Sequence, residues 1–365
     1  MKTHFLFLLL FSIKLCAQDL YYQRGVHNYM LGNYRQAIED FNQSLAITPK
    51  ALDTYYYRGY CYVYLGEYDR ALKDLKKVLR HGPEKAAVYS AVGHAYNESG
   101  NYDKALRYFK KAILLDPKYV EVYNNRGVCY HRMGKFRQAI EDFTVAVQLD
   151  TTFALAYNNR GSARYYNQNI AEPSRSDVEL AIRDFDKALR YDPNMILAVR
   201  NKGVAYRILG NYEEALKQFD RAIEMDATIA DNYLEKARTE AQMGSHENAI
   251  EDFMTTVRLN PGSADAYIEM GNAKSRLGYH LESIKDQQRA MEINPRFTAL
   301  SYYNIACCYA LMGDKENMLR YLNKCRKLKF FRDDYRYRHF LTDTDFDNFR
   351  KDADFVRFRQ KIARR

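Results

Sequence analysis

YSAVGHAYNESGNYDKALRYFKKAILLDP, residues 89–117, carries two helical stripes back to back. Tyr89, Val92, Gly93 and Tyr96 recur at helical spacing, and the run stops at Ser99-Gly100-Asn101, where glycine can take the left-handed backbone that ends a helix. Tyr102, Ala105, Leu106, Phe109, Ala112 and Ile113 then form a second apolar stripe. Asp116-Pro117 closes it, because proline disfavours helix in the residue before it and suits the first turn of the next. Gly93, Ala105 and Ala112 let the two backbones approach closely, while Tyr89, Tyr96 and Phe109 fill the space around them. A lone hairpin of this kind cannot bury its apolar face, but a stack of them buries a continuous core.

The hairpin recurs. Gly25, Gly59, Gly93, Gly127 and Gly161 are 34 residues apart, and Tyr21, Tyr55, Tyr89, Tyr123 and Tyr157 keep the same step. Six of the seven prolines share one phase: Pro49, Pro83, Pro117, Pro193, Pro261 and Pro295. In sequence, Tyr89, Gly93, Tyr96, Gly100, Tyr102, Ala105, Phe109, Ala112 and Pro117 resemble the tetratricopeptide-repeat motif at its fixed offsets. Nine units follow in register: 18–51, 52–85, 86–119, 120–153, 154–195, 196–229, 230–263, 264–297 and 298–331. The resemblance implies an all-α, right-handed superhelical solenoid of helix-turn-helix hairpins.

Departures from the motif are local. Asn28 replaces a tyrosine, Thr151 and Ala227 replace proline, Ala237 replaces glycine, and Ser283 and Gln287 replace alanine and phenylalanine. Gly161 to Gly203 spans 42 residues instead of 34, which places an insertion around 167–177. Beyond the ninth unit, Phe340 to Phe355 resembles a segment that closes bacterial members of the family. Phe346, Phe349, Phe355 and Phe358 are spaced to cover one face, so residues 332–365 are expected to form a helical cap with a basic tail.

The N-terminus reads as an export signal: Met1-Lys2, an apolar run from Phe5 to Ile13, then Cys16-Ala17 before Gln18. Cleavage after Ala17 is expected, giving an exported, periplasmic or envelope-associated protein; acylation of Cys16 and retention of the segment as an anchor are the alternatives. The chain carries a net charge of +10, and residues 326–365 hold most of the surplus. The repeat body is nearly balanced, which disfavours a nucleic-acid ligand. The signal region and the basic tail leave membrane association open. The odd set Cys61, Cys129, Cys307, Cys308 and Cys325 reads as small buried hydrophobes rather than a disulfide framework.

No constellation for catalysis, metal, cofactor or a small-molecule substrate stands out. Zinc-type Cys and His spacings and a phosphate-binding glycine loop are missing. Acid pairs such as Glu39-Asp40 and Glu141-Asp142 recur on second helices and read as solvated faces. A non-catalytic adaptor for a protein or peptide partner is therefore expected. The family resemblance implies that the side chain two positions before the motif glycine faces a concave groove. Asn125, Asn159 and Asn201 stand there, and Asn304 stands at the matching place before Ala306. A carboxamide offers both a donor and an acceptor to a peptide backbone. The arrangement resembles the asparagine ladder of O-linked N-acetylglucosamine transferases, broken here by Gln23, Tyr57, Ala91, Glu235 and Glu269. Asn124 and Asn158 are neighbouring candidates, and His94, His131 and Tyr165 lie further along the same helices. The lysine that a chaperone-tail clamp requires is missing from its position. The alternative function is a structural component of an envelope assembly, docked by its convex face, inserted loop or basic tail.

Overall fold

A computed structural model describes residues 18–166 and 174–363. The export signal and most of the insertion lie outside them. Twenty α-helices occur among the described residues, in consecutive packed pairs, with three short 3-10 turns and no strand. The chain divides into two compact units, Met1–Pro193 and Asn194–Arg365.

The first unit holds α1 (18–30), α2 (Tyr34–Ile47), α3 (Leu52–Tyr64), α4 (Tyr68–His81), α5 (Ala86–Glu98), α6 (Tyr102–Leu115), α7 (Val120–Arg132), α8 (Phe136–Leu149), α9 (Ala154–Tyr166) and α10 (Arg175–Tyr191). The odd-numbered helix of each pair touches the next odd-numbered one, α3 to α5, α5 to α7 and α7 to α9, so the first helices form a layer. Within a hairpin the fit depends on glycine. A Cβ added at Gly93 would sit 2.6 Å from the Phe109 ring. Gly100, at φ +77°, turns the chain between α5 and α6. Asn101 N–H then donates to Tyr96 O at 2.8 Å, which satisfies a carbonyl at the helix end. The described end of the insertion serves α10: Ser174 Oγ accepts from Asp177 N–H, an N-cap.

The second unit holds α11 (Ile196–Ile208), α12 (Tyr212–Met225), α13 (Ala230–Met243), α14 (His246–Leu259), α15 (Ala264–Arg276), α16 (His280–Ile293), α17 (Thr298–Leu311), α18 (Lys315–Lys327), α19 (Asp334–Thr342) and α20 (Ala353–Ala363). Its first helices also touch in succession, α11 to α13, α13 to α15 and α15 to α17. The end is closed by an aromatic cluster. Phe330, Phe331, Phe340, Phe346, Phe355 and Phe358 are buried against Met318, Leu322 and Cys325 of α18. Burying six phenylalanines removes from water a surface that the last hairpin would otherwise expose.

One expectation is corrected. Asp40 and Asp142 are not on solvated faces: they are 1% and 5% exposed. Each is held by an arginine from the first helix of its own hairpin. Arg126 Nε and Nη2 donate to the two oxygens of Asp142 at 2.7 and 2.6 Å. Arg58 grips Asp74 the same way at 2.7 and 2.9 Å, and Arg24 donates to Asp40. Arg160 repeats the contact on Asp184, joined there by Arg164. The arginine stands one position before the motif glycine, and the aspartate follows 16 residues later. This fixed spacing was the legible signal; the default reading of acids as exposed hid it.

Candidate functional site

The expected groove residues fall in the first-helix layers. In the first unit three successive repeats are tied together by side-chain amides. Asn125 Nδ2 of α7 donates to Ser90 Oγ of α5 at 3.4 Å. Asn159 Nδ2 of α9 donates to Asn124 Oδ1 of α7 at 2.9 Å, and Asn158 Nδ2 donates to Asn159 Oδ1 at 3.3 Å. Asn124 and Asn158 are buried, at 4% and 1% exposure, so they stand behind Asn125 and Asn159, which are half-buried. A primary amide has two N–H donors and two acceptor lone pairs. After these lateral bonds, Asn125 and Asn159 each retain an N–H and acceptor capacity.

Tyr165 is removed from the groove set: it is 3% exposed, its ring 6.2 Å from that of Phe185, and it belongs to the core. His94 stays at the surface of the layer, beside the rings of Tyr60 and Tyr64. Its Nε2 lies 3.6 Å from Glu98, which Arg132 also contacts at 2.8 Å. His94 and Arg132 together hold the Glu98 carboxyl down at about 2. His131 packs edge-on against Phe136 at 5.2 Å, and burial followed by the Arg132 charge lowers its pKa.

The second unit replaces amides with charges. Glu235 and Glu269, which interrupt the asparagine series in sequence, are links in an ion-pair relay. Arg207 Nη2 donates to Glu235 at 2.6 Å, Glu235 accepts from Arg238 at 2.6 Å, and Arg238 Nε reaches Glu269 at 2.8 Å. The relay borders a cavity of about 370 Å³ that also meets Gln242, His246, Asn272 and Arg276. Asn201 is buried. Asn304 Nδ2 donates to Gln287 Oε1 at 3.2 Å, and Gln287 in turn donates to Ile268 O at 3.0 Å. The glutamine that departs from the motif thus anchors Asn304.

Between α17 and the closing cap, Cys307, Asp343 and Asp345 bring one metal-capable atom each within 4.8 Å of one another. Protein donors already engage these groups. Asp343 accepts from Tyr303 Oη and from the Asp345 N–H, and Arg276 lies 3.6 Å from Asp345. Burial and the two carboxylates push the Cys307 thiol well above its ordinary range. The cluster fastens the cap to the last hairpin. All five described cysteines are free and buried.

Layers of first helices, cross-linked by amides in the first unit and by ion pairs in the second, with four of the hairpins closed by a buried Arg–Asp clasp, define a helical-hairpin repeat protein. Family models described as tetratricopeptide repeat match residues 18–51, 52–85, 120–153, 198–228, 230–263, 264–297 and 299–330, and one described as TPR repeat matches 93–134. Together they span well over half of the sequence, and the chain belongs to the tetratricopeptide repeat family. Residues 154–197, which include the insertion, fall outside these matches. No curated protein sequence matches the chain.

Solved structures share the fold. One is that of the APC/C hetero-tetramer Cut9–Hcn1, with TM-score 0.61 and 17% identity over 75% of this chain. The match covers 52% of that chain, about half its length. A tetratricopeptide repeat protein from Parabacteroides merdae aligns with TM-score 0.53 and 14% identity, over 70% of this chain and 98% of its own. Repeat arrays of this type use extended surfaces for binding other proteins.

Proposed function

We propose that the chain is a non-catalytic scaffold and that the first helices of repeats 3 to 5 hold an extended segment of a protein partner. The observation that carries this reading is the lateral bonding of Asn125 and Asn159 to their neighbours. Those bonds fix the carboxamides before a ligand arrives, so little side-chain entropy is lost when a peptide backbone takes up their remaining donors and acceptors. Such contacts read the main chain, so affinity depends weakly on the partner's sequence, and His94 beside Tyr60 and Tyr64 supplies side-chain selectivity. Export places the partner outside the cytoplasm.

The test is a screen of the purified full chain against a displayed library of random dodecapeptides. Each peptide hydrogen bond contributes about 0.5–1.5 kcal/mol. The double variant Asn125→Ala/Asn159→Ala is therefore expected to weaken selected peptides roughly ten- to a hundredfold, with the helical signal unchanged. Peptides that bind the double variant as tightly as the parent would rule the reading out.

A further inference from the structure

Beside the aromatic cap, the chain gathers cations that no described carboxylate pairs. Arg326, Lys327, Lys329, Arg332 and Lys361 border a cavity of about 320 Å³ floored by Phe331 and Ile362. All five side chains are exposed, and among the described residues none has a carboxylate within ion-pair distance. The acids of this segment are committed elsewhere. Asp334 pairs with Arg338, Asp347 with Arg350, and Asp354 with Arg357 and Lys315. Asp352 pairs with Lys315, Asp345 lies near Arg276, and Asp333 caps α19.

Three further observations separate this cluster from an ordinary solvated helix end. Basic residues in the last turns of α18 and α20, Lys361 among them, suit those helices' dipoles, but Lys329 and Arg332 lie outside both helices. Lys329 is the one described non-glycine residue with positive φ, at +60°. It sits just past the C-cap Leu328, where glycine is the favoured residue. A lysine kept there against its backbone preference points to a use for its charge. Apolar side chains protrude from the same segment: Leu328, between Lys327 and Lys329, is 49% exposed, and Tyr335 is 78% exposed. Cations interspersed with exposed leucine and tyrosine are the composition that enters a headgroup layer, where the charges meet lipid phosphates and the apolar groups meet the acyl boundary.

We infer that the face formed by Arg326, Lys327, Lys329, Arg332 and Lys361 docks on an anionic bilayer surface, with the cavity receiving a lipid phosphate and Leu328 entering the interface. None of the described helices is long and apolar enough to cross a membrane, so this is peripheral attachment. The inference is independent of the peptide groove, which lies on other helices.

Vesicle co-sedimentation of the full chain tests it, with phosphatidylcholine vesicles compared against vesicles containing 30 mol% phosphatidylglycerol. The expected result is binding to the anionic vesicles that falls steeply with salt and exceeds binding to neutral ones. Lys327→Glu/Lys329→Glu should lower the anionic partition more than about tenfold, given the contribution of each basic residue near such a surface. Leu328→Ser should lower it with the charge intact. Far-UV circular dichroism and binding of the library peptides should not change, because all three positions are exposed. Equal sedimentation with neutral vesicles, or unaltered binding by both variants, overturns the inference. So does calorimetric binding of inorganic pyrophosphate by a chain that ignores the anionic vesicles, which would make the site one for a soluble phosphate.

Discussion

Replacing Arg126 with methionine isolates one of the buried clasps. The guanidinium makes two short bonds to Asp142, whose side chain is 7% exposed. Arg126→Met keeps most of the aliphatic volume but leaves a carboxylate buried without its partner. Breaking a buried pair from one side costs about 3–5 kcal/mol, whereas replacing both partners with apolar groups is often neutral. Arg126→Met/Asp142→Leu is therefore expected within about 1 kcal/mol of the parent, giving a coupling of 2 kcal/mol or more, on the order of the upper range for directly bonded pairs.

The pH dependence follows from the same geometry. Burial already raises the Asp142 carboxyl above its usual value despite Arg126, and losing the guanidinium raises it further. The folded variant then holds a proton that the unfolded chain has released, so its stability falls as pH rises above the ordinary carboxylate range. Urea unfolding of the parent, both single variants and the double variant, followed by far-UV circular dichroism at pH 5 and pH 7.5, measures all of this. Amide exchange across α7 and α8 shows whether the loss stays in that hairpin. A single variant that loses less than about 1 kcal/mol at pH 7.5, with no recovery at pH 5, would refute the reasoning.

Three other outcomes are expected. The Glu240 carboxyl is pushed up from 4.5 to about 7 by burial and then by Asp252, so unfolding titrations should show stability falling by up to about 3 kcal/mol between those pH values and flattening above them, and Glu240→Gln should abolish the slope. Phe340, fully buried and 5.0 Å from Phe331, anchors the cap, and Phe340→Ala should cost about 3–5 kcal/mol locally, read as faster amide exchange in α19 and α20 with α11 and α12 unchanged. Terminal sequencing of the protein recovered from its native host is expected to begin at Gln18; a chain retaining Met1, or one starting at an acylated Cys16, would count against simple cleavage.

The hairpins were legible because each repeats the same local events: an aromatic–glycine stripe, a left-handed glycine and a proline. Gly93 and Phe109, 16 residues apart, meet inside one hairpin, so the periodicity reports the packing directly. Other features depended on pairings that composition does not display. Arg126 and Asp142 read separately as surface charges, and only the 16-residue separation that recurs in Arg24–Asp40 and Arg58–Asp74 marks them as partners. Glu235 and Glu269 read as gaps in an asparagine series, yet they continue it with a different chemistry, because carboxylates bridge Arg207 and Arg238 where amides bridge each other. Tyr165 shares its repeat position with His131, and no sequence rule says that its ring turns inward to Phe185. The phenylalanine spacing revealed the cap, whereas the pairing of its acids with Arg338, Arg350, Arg357 and Lys315 depends on the folded arrangement.

The fifth hairpin shows what holds the stack in register. Arg160 meets Asp184 across 24 residues with the same two-pronged contact that Arg126 makes across 16. Complementary faces, not chain length, therefore specify the pairing, and the entropic cost of lengthening a connection grows only logarithmically. The junction between Tyr166 and Arg175 is thus a ready insertion port: a reporter domain or affinity module spliced there should ride on the scaffold while the flanking helices keep their partners.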